Sequence, residues 1–519
     1  MRTKLILIFT ILLCVYGCDY KHRSFDTLYL RLKKDITTLD PAFIVDVDGG
    51  RVAAYLFNGL VRLNNELDII PDLAIGWDIT DNGTRYRFYL RKDVVFSDGK
   101  PLTAFDVKKS FERIIDPAVG SPRSWIFEKV YGCGAVLSGE KKDVDGFVVV
   151  DDYTFDIILT DPFAPFLAIL TSTNALVCGG RIADSVMAGT GPFAVKKWVR
   201  GDSLILERND AYFGTNPKVK KIQIRIIPED FTAITEFENG KLDILQVPRA
   251  EFEYFTQDER WKNHVYDTTV LNTYYLGFNC QRYPFSNKIV RRAIGYAVDI
   301  DSIIEKYLYN RVTRADSPVP PVLIDDSIEV SSEISYNPEY AKQLLRESGI
   351  APSQISVSLY FSSNKEMEGV AELIQHNLKN IGFNVALNQL EWTAFKEKIA
   401  QGEADMFLLS WWADYPDIEN FLYPVFHSKN WGSAGNRVRY CNKLFDTGIE
   451  KAHCETDKST RNKQYAQLLN IIQEDVPWVC LWHKKKFIVT QPWVKNYFPA
   501  PVYSVDKCTD IKLKFELDR

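Results

Sequence analysis

The chain has 519 residues, 46% hydrophobic and 25% charged, which is too long for a single hydrophobic core and too apolar for extended disorder. Its formal net charge of −5 lacks the basic excess of a nucleic-acid footprint, so no nucleic-acid partner is expected. Eleven Trp and 26 Tyr favour stacking surfaces, although large cores also consume aromatics.

In chain order, the first element is a leader. "MRTK" is a basic start and Leu5 to Val15 an uncharged apolar run, too short to span a bilayer and right for a secretory signal. It ends in "VYGC", which resembles a lipoprotein cleavage box with Cys18 as acceptor. Cleavage there removes Arg2 and Lys4, taking the net charge from −5 to −7. More than one acyl chain would anchor the protein stably. Residues 1–17 are then the signal peptide and 18–25 a short tether.

"LTAFDVKKSFERIIDP" predicts a helix. Thr103 and Asp106 form a capping box, Val107, Phe111 and Ile114 make the apolar stripe, and Asp116-Pro117 ends it. From 186 to 248, "GPFAVKKW", "DSLILERN", "KKIQIRIIP" and "KLDILQVP" are spaced like sheet strands, with "AITEFENG" as a small helix between the last two. "GTGPF" reads as a tight turn rather than a phosphate cradle, since no basic helix start follows. "GVAELIQHNLKNIG" predicts a helix closed by Gly382, "FNVALNQL" an alternating strand, "TAFKEKIAQG" a helical stretch and "QGEADMFLLSWW" a buried strand. Such alternation predicts an α/β architecture with crossings near 180, 268 and 485. "KKK" at 484–486 reads as a solvated face close to a crossing.

Cysteines stand at 14, 18, 133, 178, 280, 441, 454, 480 and 508 with no C-x-x-C, and six histidines are scattered. That pattern predicts no metal site and no cofactor, and leaves room for one or two unassigned disulfides.

The stretch most in need of explanation is "LSWWADYPD", residues 409–417, in which two tryptophans run into two acids at a strand end. One reading is a glycoside hydrolase using Asp414 and Asp417 as acid and base. Against it, Asp417 follows Pro416 and is placed to cap the helix "IENFLYPVF". Asp414, at the carboxyl end of a buried strand, faces the crevice where open α/β sheets hold ligands. Walled by indoles, it suits an ammonium group such as a peptide α-amine; an internal Arg or Lys partner is the structural alternative. No P-loop, nucleophile elbow, dinucleotide fingerprint or zincin motif occurs, so no enzyme activity is expected.

Several blocks together resemble one family. They are "TTLDPA" at 37–42, "LFNGLVRLNNELDIIPDLAIGWDITDNGTRYRFYLRKDVVFSDGKPLTAFDVKKSFER" at 56–113 and "GTGPFAVKKWVRGDSLILERNDAYFG" at 189–214. "YYLGFNCQRYPFSNKIVRRAIGYAVD" at 274–299, "YNPEYAKQLLRESG" at 336–349 and "WWADYPDIENFLYPVFHS" at 411–428 continue the series. In this order they resemble the extracellular family 5 solute-binding proteins, the oligopeptide- and dipeptide-binding lipoproteins of ABC importers. The resemblance implies a two-lobed, hinged, type II (cluster C) periplasmic-binding-protein-like fold. It divides the chain into lobe I (26–46, 180–268 and 486–519), an inserted domain (47–179) and lobe II (269–485). It implies a peptide ligand enclosed between the lobes and delivery to ABC importer permease subunits and their ATPases. It also implies a cell-envelope location with a lipid anchor in the membrane, a monomeric state, and murein fragments, nickel, haem or sugars as alternative solutes.

Carried over residue by residue, Asp414 matches the aspartate that pairs with the peptide amine. Trp411 and Trp392 match aromatics lining the ligand pockets, although Trp392 also suits a core position. Tyr274 and Tyr275 fall near the cleft but alternate across their strand, so at most one should line it; Trp411 and Trp412 alternate likewise, and Trp411 is the expected cleft residue. The basic group that relatives often place on lobe II for the ligand carboxylate is missing, with Ile399 and Leu408 at two expected sites. Lys365, Arg437, Arg439 and Arg123 are the candidate substitutes.

Overall fold

The structure is a computed structural model and describes residues 24–183, 186–325, 327–329, 334–351, 356–503 and 505–514. The signal peptide and the lipidation residue Cys18 lie outside the described residues.

Strand β1 (Thr27–Leu32) leads through Asp40 into helix α1 (Val47–Leu56). Asp40 explains the "TTLDPA" block. It caps the short turn at Pro41–Phe43 and pairs with Arg113, while Asn174 Nδ2 donates to the carbonyls of Pro41 (2.7 Å) and Ile44 (3.0 Å). The next layer is an antiparallel sheet of β2 (Ala74–Thr80), β3 (Arg85–Leu90), β4 (Phe147–Asp151) and β5 (Thr154–Ile158), ordered β2-β3-β5-β4. Helix α2 (Ala104–Ile115) covers it and carries the Thr103/Asp106 capping box expected from sequence. Its Phe111 meets Phe127 at 4.7 Å and Phe147 at 5.6 Å between ring centroids, all fully buried. Each such ring contributes about 1.5–3 kcal/mol by leaving water.

Strands β6 (Phe193–Val199), β7 (Ser203–Arg208) and β8 (Lys221–Ile226) return to β1, giving a sheet ordered β1-β8-β7-β6 in which β1 and β8 are parallel. The "GTGPF" turn before β6 is a close-packing device. Gly191 N–H donates to the Leu56 carbonyl (2.9 Å), and a Cβ on Gly189 or Gly191 would overlap the Leu56 main chain. Gly191→Ala is therefore expected to cost at least about 1–3 kcal/mol, read as a lowered thermal midpoint; an unchanged midpoint would refute the close-packing account.

After helix α3 (Asp230–Glu238) come β9 (Ile244–Gln246), β10 (Val265–Thr269), β11 (Asn272–Phe278) and β12 (Val312–Arg314). Then β13 (Ser356–Ser362), helix α4 (Lys365–Asn380), β14 (Asn384–Leu390), helix α5 (Trp392–Ala400) and β15 (Met406–Trp412) follow in strict alternation. Helix α4 ends at Gly382 with φ 98°, the left-handed position that favours glycine.

The thirteen-residue strand β16 (Trp478–Thr490) joins everything after β8 into one sheet, β9-β16-β11-β15-β13-β14. Up to Lys484 it pairs with β11 and β12, and from Lys485 it pairs with β10 and β9. Beside that change of partner, Val270 N–H donates to the Lys484 carbonyl (3.0 Å) and Lys484 N–H to Asn272 Oδ1 (2.9 Å). His483, buried there, is held neutral: burial pushes its pKa down to about 4.

All seven cysteines from Cys133 onward are free, Cys441 and Cys454 being exposed. No helix among the described residues is long and apolar enough to cross a membrane.

Candidate functional site

Strands β13, β14 and β15 place the crevice. β13 pairs parallel with both β14 and β15, so the carboxyl ends Ser362, Leu390 and Trp412 meet at one edge. Helix α4, which connects β13 to β14, contributes Met367, Val370 and Ile374 to the core on one face; helix α5, which connects β14 to β15, contributes Phe395 and Ile399 to the core on the other. The crossovers thus reverse direction at β13, and the gap between the ends of β13 and β15 is a topological switch point. Open α/β sheets bind ligands at such points.

Asp414 stands at this edge. Ala413 N–H donates to the Leu271 carbonyl (3.0 Å), tying the segment beside the partner change in β16, and Asp414 N–H donates to Asn420 Oδ1 (3.0 Å). The Asp414 side chain is open to solvent yet walled by protein. Its carboxylate makes no hydrogen bond or ion pair with another described residue. The surrounding protein raises its pKa above the ordinary carboxylate value, and the Arg123 guanidinium offsets part of that. Arg123 comes from the segment before helix α2's sheet partner β4 and donates through Nη2 to the Val45 carbonyl at 3.3 Å, leaving a buried Nε without a partner. An internal ion pair for Asp414 is thereby excluded among the described residues.

Asp417 has a different task. It caps the helical turn Ile418–Phe421 by accepting from Glu419 N–H, and it lies against Tyr465 Oη (3.2 Å) and Arg461 (3.6 Å). Its carboxyl is buried and committed to the cap, as the sequence suggested. Tyr415 and Glu419 fix the segment from the far side: Tyr415 Oη donates to Glu419, which also meets His453 Nε2 at 2.8 Å.

The aromatics divide by face. Trp412 is exposed and donates through Nε1 to Ser410 Oγ (3.2 Å), whereas Trp411 is half-buried against the Phe395–Phe421 core with its buried indole N–H unpartnered. The exposed ring at the edge is therefore Trp412, which sequence reasoning set aside in favour of Trp411. Alternation separates the two but does not say which side faces water. Trp392 opens helix α5 and is also exposed, with Lys396 over its ring at 5.3 Å; it is not a core residue. Tyr274 is half-buried, stacks on Trp482 at 5.8 Å and has its phenol pKa raised by burial and by Glu366.

Three expected site residues are placed elsewhere. Tyr275 is 1% exposed and stacked face to face on Trp478 at 3.6 Å, so it is core. Arg439 donates to the Ala400 carbonyl (3.1 Å) at the end of helix α5 and accepts from Gln281 through its own carbonyl. Both contacts lie at the Phe278/Met406 end of the β11–β15 pair, opposite to Asp414. Arg437 stands near the Tyr275 phenol and donates to Gly435. The Arg439 guanidinium rests on the end of helix α5, and the Nε atoms of both Arg437 and Arg439 are buried without a hydrogen-bond partner among the described residues.

The crevice is bridged on one flank. Arg249, following β9, pairs with Glu366 in the first turn of helix α4, and Arg311 approaches the same carboxylate at 3.9 Å. A second concavity lies at the carboxyl ends of β1 and β8. It has a volume of about 390 Å³ and is lined among others by Arg31, Lys33, Asp48, Arg51 and Lys486. Lys486 is half-buried rather than a solvated surface lysine, and burial, then Arg51, pushes its pKa down to about 8.

Comparison with known proteins accords with this geometry. The family model for bacterial extracellular solute-binding proteins, family 5 middle, matches residues 68–433. Heme-binding protein A of Haemophilus influenzae is 30% identical over 93% of this chain and 92% of its own. Di/tripeptide-binding protein 2 of Pseudomonas aeruginosa is 29% identical over 87% and 88%. The unliganded open form of the murein tripeptide-binding protein MppA superposes with a TM-score of 0.84 at 25% identity, covering 94% of this chain and 97% of that one. Helicobacter pylori DppA in complex with the peptide STSA gives 0.70 at 26%, covering 94% and 98%. The chain belongs to the bacterial extracellular solute-binding proteins, family 5.

Proposed function

We propose that the protein captures peptides between its two lobes and delivers them to the permease subunits of an ABC importer, without catalysis. The observation that carries this reading is Asp414: an accessible carboxylate without a protein partner at the switch point of the sheet. A peptide α-amine is the cation that completes it, with Trp412, Trp411, Trp392 and Tyr274 as walls. Peptide names among the relatives, the di/tripeptide-binding protein foremost, support the ligand class.

Lobe I takes 26–46, 180–268 and 486–519, the inserted domain 47–179 and lobe II 269–485. The change of partners within β16 between Lys484 and Lys485 supports a hinge there. Closure about such a hinge encloses ligand, and the open arrangement is the state that receives it. Extended peptide main chain is held by strand-like hydrogen bonds, with water in the side-chain pockets. A lipid on Cys18 tethers the monomer to the membrane at the cell envelope.

The test begins with mass spectrometry of small molecules that copurify, followed by calorimetry of stripped protein with a peptide library and small-angle scattering with and without ligand. Binding heat and a decreased radius of gyration are expected. A stripped protein that binds no peptide, or that carries a Soret-absorbing haem instead, overturns the peptide reading.

A further inference from the structure

We infer that the ligand's anionic end is read by lobe I, by Arg51 and Lys486, rather than by lobe II; the inference rests on the peptide reading above. The 390 Å³ concavity at the carboxyl ends of β1 and β8 presents five cationic side chains, Arg31, Lys33, Arg51, Arg249 and Lys486, against two acids, Asp48 and Asp230. Asp230 is taken by Arg31 at 2.8 Å and Lys33 at 3.0 Å, and Arg249 is taken by Glu366. Arg51 reaches only Tyr55 Oη, at 3.3 Å, and Lys486 has no hydrogen-bond or ion-pair partner among the described residues. Two half-buried cations thus stand over a cavity with Asp48 on its wall and Asp506 near both, neither acid forming an ion pair with them among the described residues. That arrangement stabilises a carboxylate brought in from outside.

Register links this cavity to Asp414. Lys486 lies opposite Thr268 on one side of the β10–β11 segment, and Trp412 lies opposite Asn272 on the other. Thr268 belongs to β10 and Asn272 to β11, and the pairing with β16 slips by two residues between Thr269–Lys485 and Tyr274–Trp482, so Lys486 and Trp412 stand on either side of a break in the ladder. Asp414, two residues beyond Trp412, and Lys486 thus flank the same crossing segment from its two sides, on the order of two strand spacings of about 4.8 Å across the sheet. A short extended chain, at ~3.3–3.6 Å per residue, reaches across a separation of that order. A short peptide carrying both charges therefore joins one residue on each side of the crossing.

The experiment compares an equimolar tripeptide library with its C-terminally amidated counterpart, by calorimetry on the full chain. Wild type is expected to prefer the free-carboxylate library by at least 10-fold. Lys486→Met should reduce that preference several-fold, with a smaller loss for the amidated library than for the free-carboxylate one, and Lys486→Arg should restore it. Because burial and Arg51 lower the Lys486 pKa to about 8 while Asp48 and Asp506 oppose them, the preference should decline above pH 8 in wild type and persist in Lys486→Arg. Arg31, Lys33 and Asp230 line the same wall and pair with one another. Equal affinity for the two libraries in wild type, or an equal loss for both in Lys486→Met, overturns the lobe I assignment alone. Failure to bind either library overturns the peptide reading with it.

Discussion

Asp414→Asn is expected to weaken peptide binding by roughly 10- to 150-fold, the equivalent of about 1.5–3 kcal/mol for one charge-assisted contact. Calorimetry against peptides with free and acetylated N-termini reads it directly: the acetylated set should lose little, because it has no ammonium group to misplace. Loss of equal size for both sets would make Asp414 a structural residue. The same substitution should stabilise the ligand-free protein. A carboxyl whose folded-state pKa lies above its unfolded value leaves the folded chain holding more protons in the window between the two. Stability then falls as pH rises from the ordinary carboxylate value of about 3.9 through the raised one, and the deficit persists at neutral pH. Asn carries no such deficit, so the thermal midpoint of the variant should exceed that of wild type at pH 7 and converge with it in acid. Peptide affinity of the wild type should correspondingly begin to fail, on acidification, at a higher pH than an ordinary aspartate would allow.

The largest effect on stability is expected at Tyr275. Tyr275→Ala removes a ring that is 1% exposed and stacked on Trp478 at 3.6 Å, with Phe407 at 6.3 Å on its edge. Substitutions of this kind cost about 3–5 kcal/mol, which for a unit of about 200 residues lowers the midpoint by roughly 10 °C. Calorimetric unfolding checks it. Tyr275→Phe is the informative companion, since the phenol has no hydrogen-bond partner among the described residues. It should leave peptide affinity within error of wild type, and a loss of affinity there would return Tyr275 to the crevice.

Much of the local structure was legible because it depends on near neighbours in sequence. The Thr103/Asp106 box, the stripe ending at Gly382, the alternating strand at β14 and the cap at Asp417 each rest on contacts within a few residues. Period and capping chemistry therefore suffice to find them. What failed depends on contacts between distant segments. Tyr275 and Trp478 meet only because β11 and β16 pair, so nothing near Tyr275 announces that it is core. Arg439 looked available because sequence does not show that the end of helix α5 lies beside it. Lys486 sat in a run of three lysines, and sequence does not show that it is half-buried with Arg51, Asp48 and Asp506 as its charged neighbours. Trp411 and Trp412 illustrate the limit within one element. Alternation assigns them to opposite faces, but the face left open is decided by the core beneath Trp411.

Strand β16 carries one further consequence. The same thirteen residues supply the pairing on both sides of the crossing, and Lys486 projects from the stretch where the partners change. With the hinge and the carboxylate site as proposed, ligand choice and the mechanics of opening share one piece of main chain. An engineer who wishes to convert this protein into an optical sensor for a new solute would do best to redesign Trp392 or Trp412, at the outer edge of the crevice, and leave 483–486 untouched. Changes within the crossing would alter what is sensed and how far the reporter moves at once, and the two responses could not be calibrated separately.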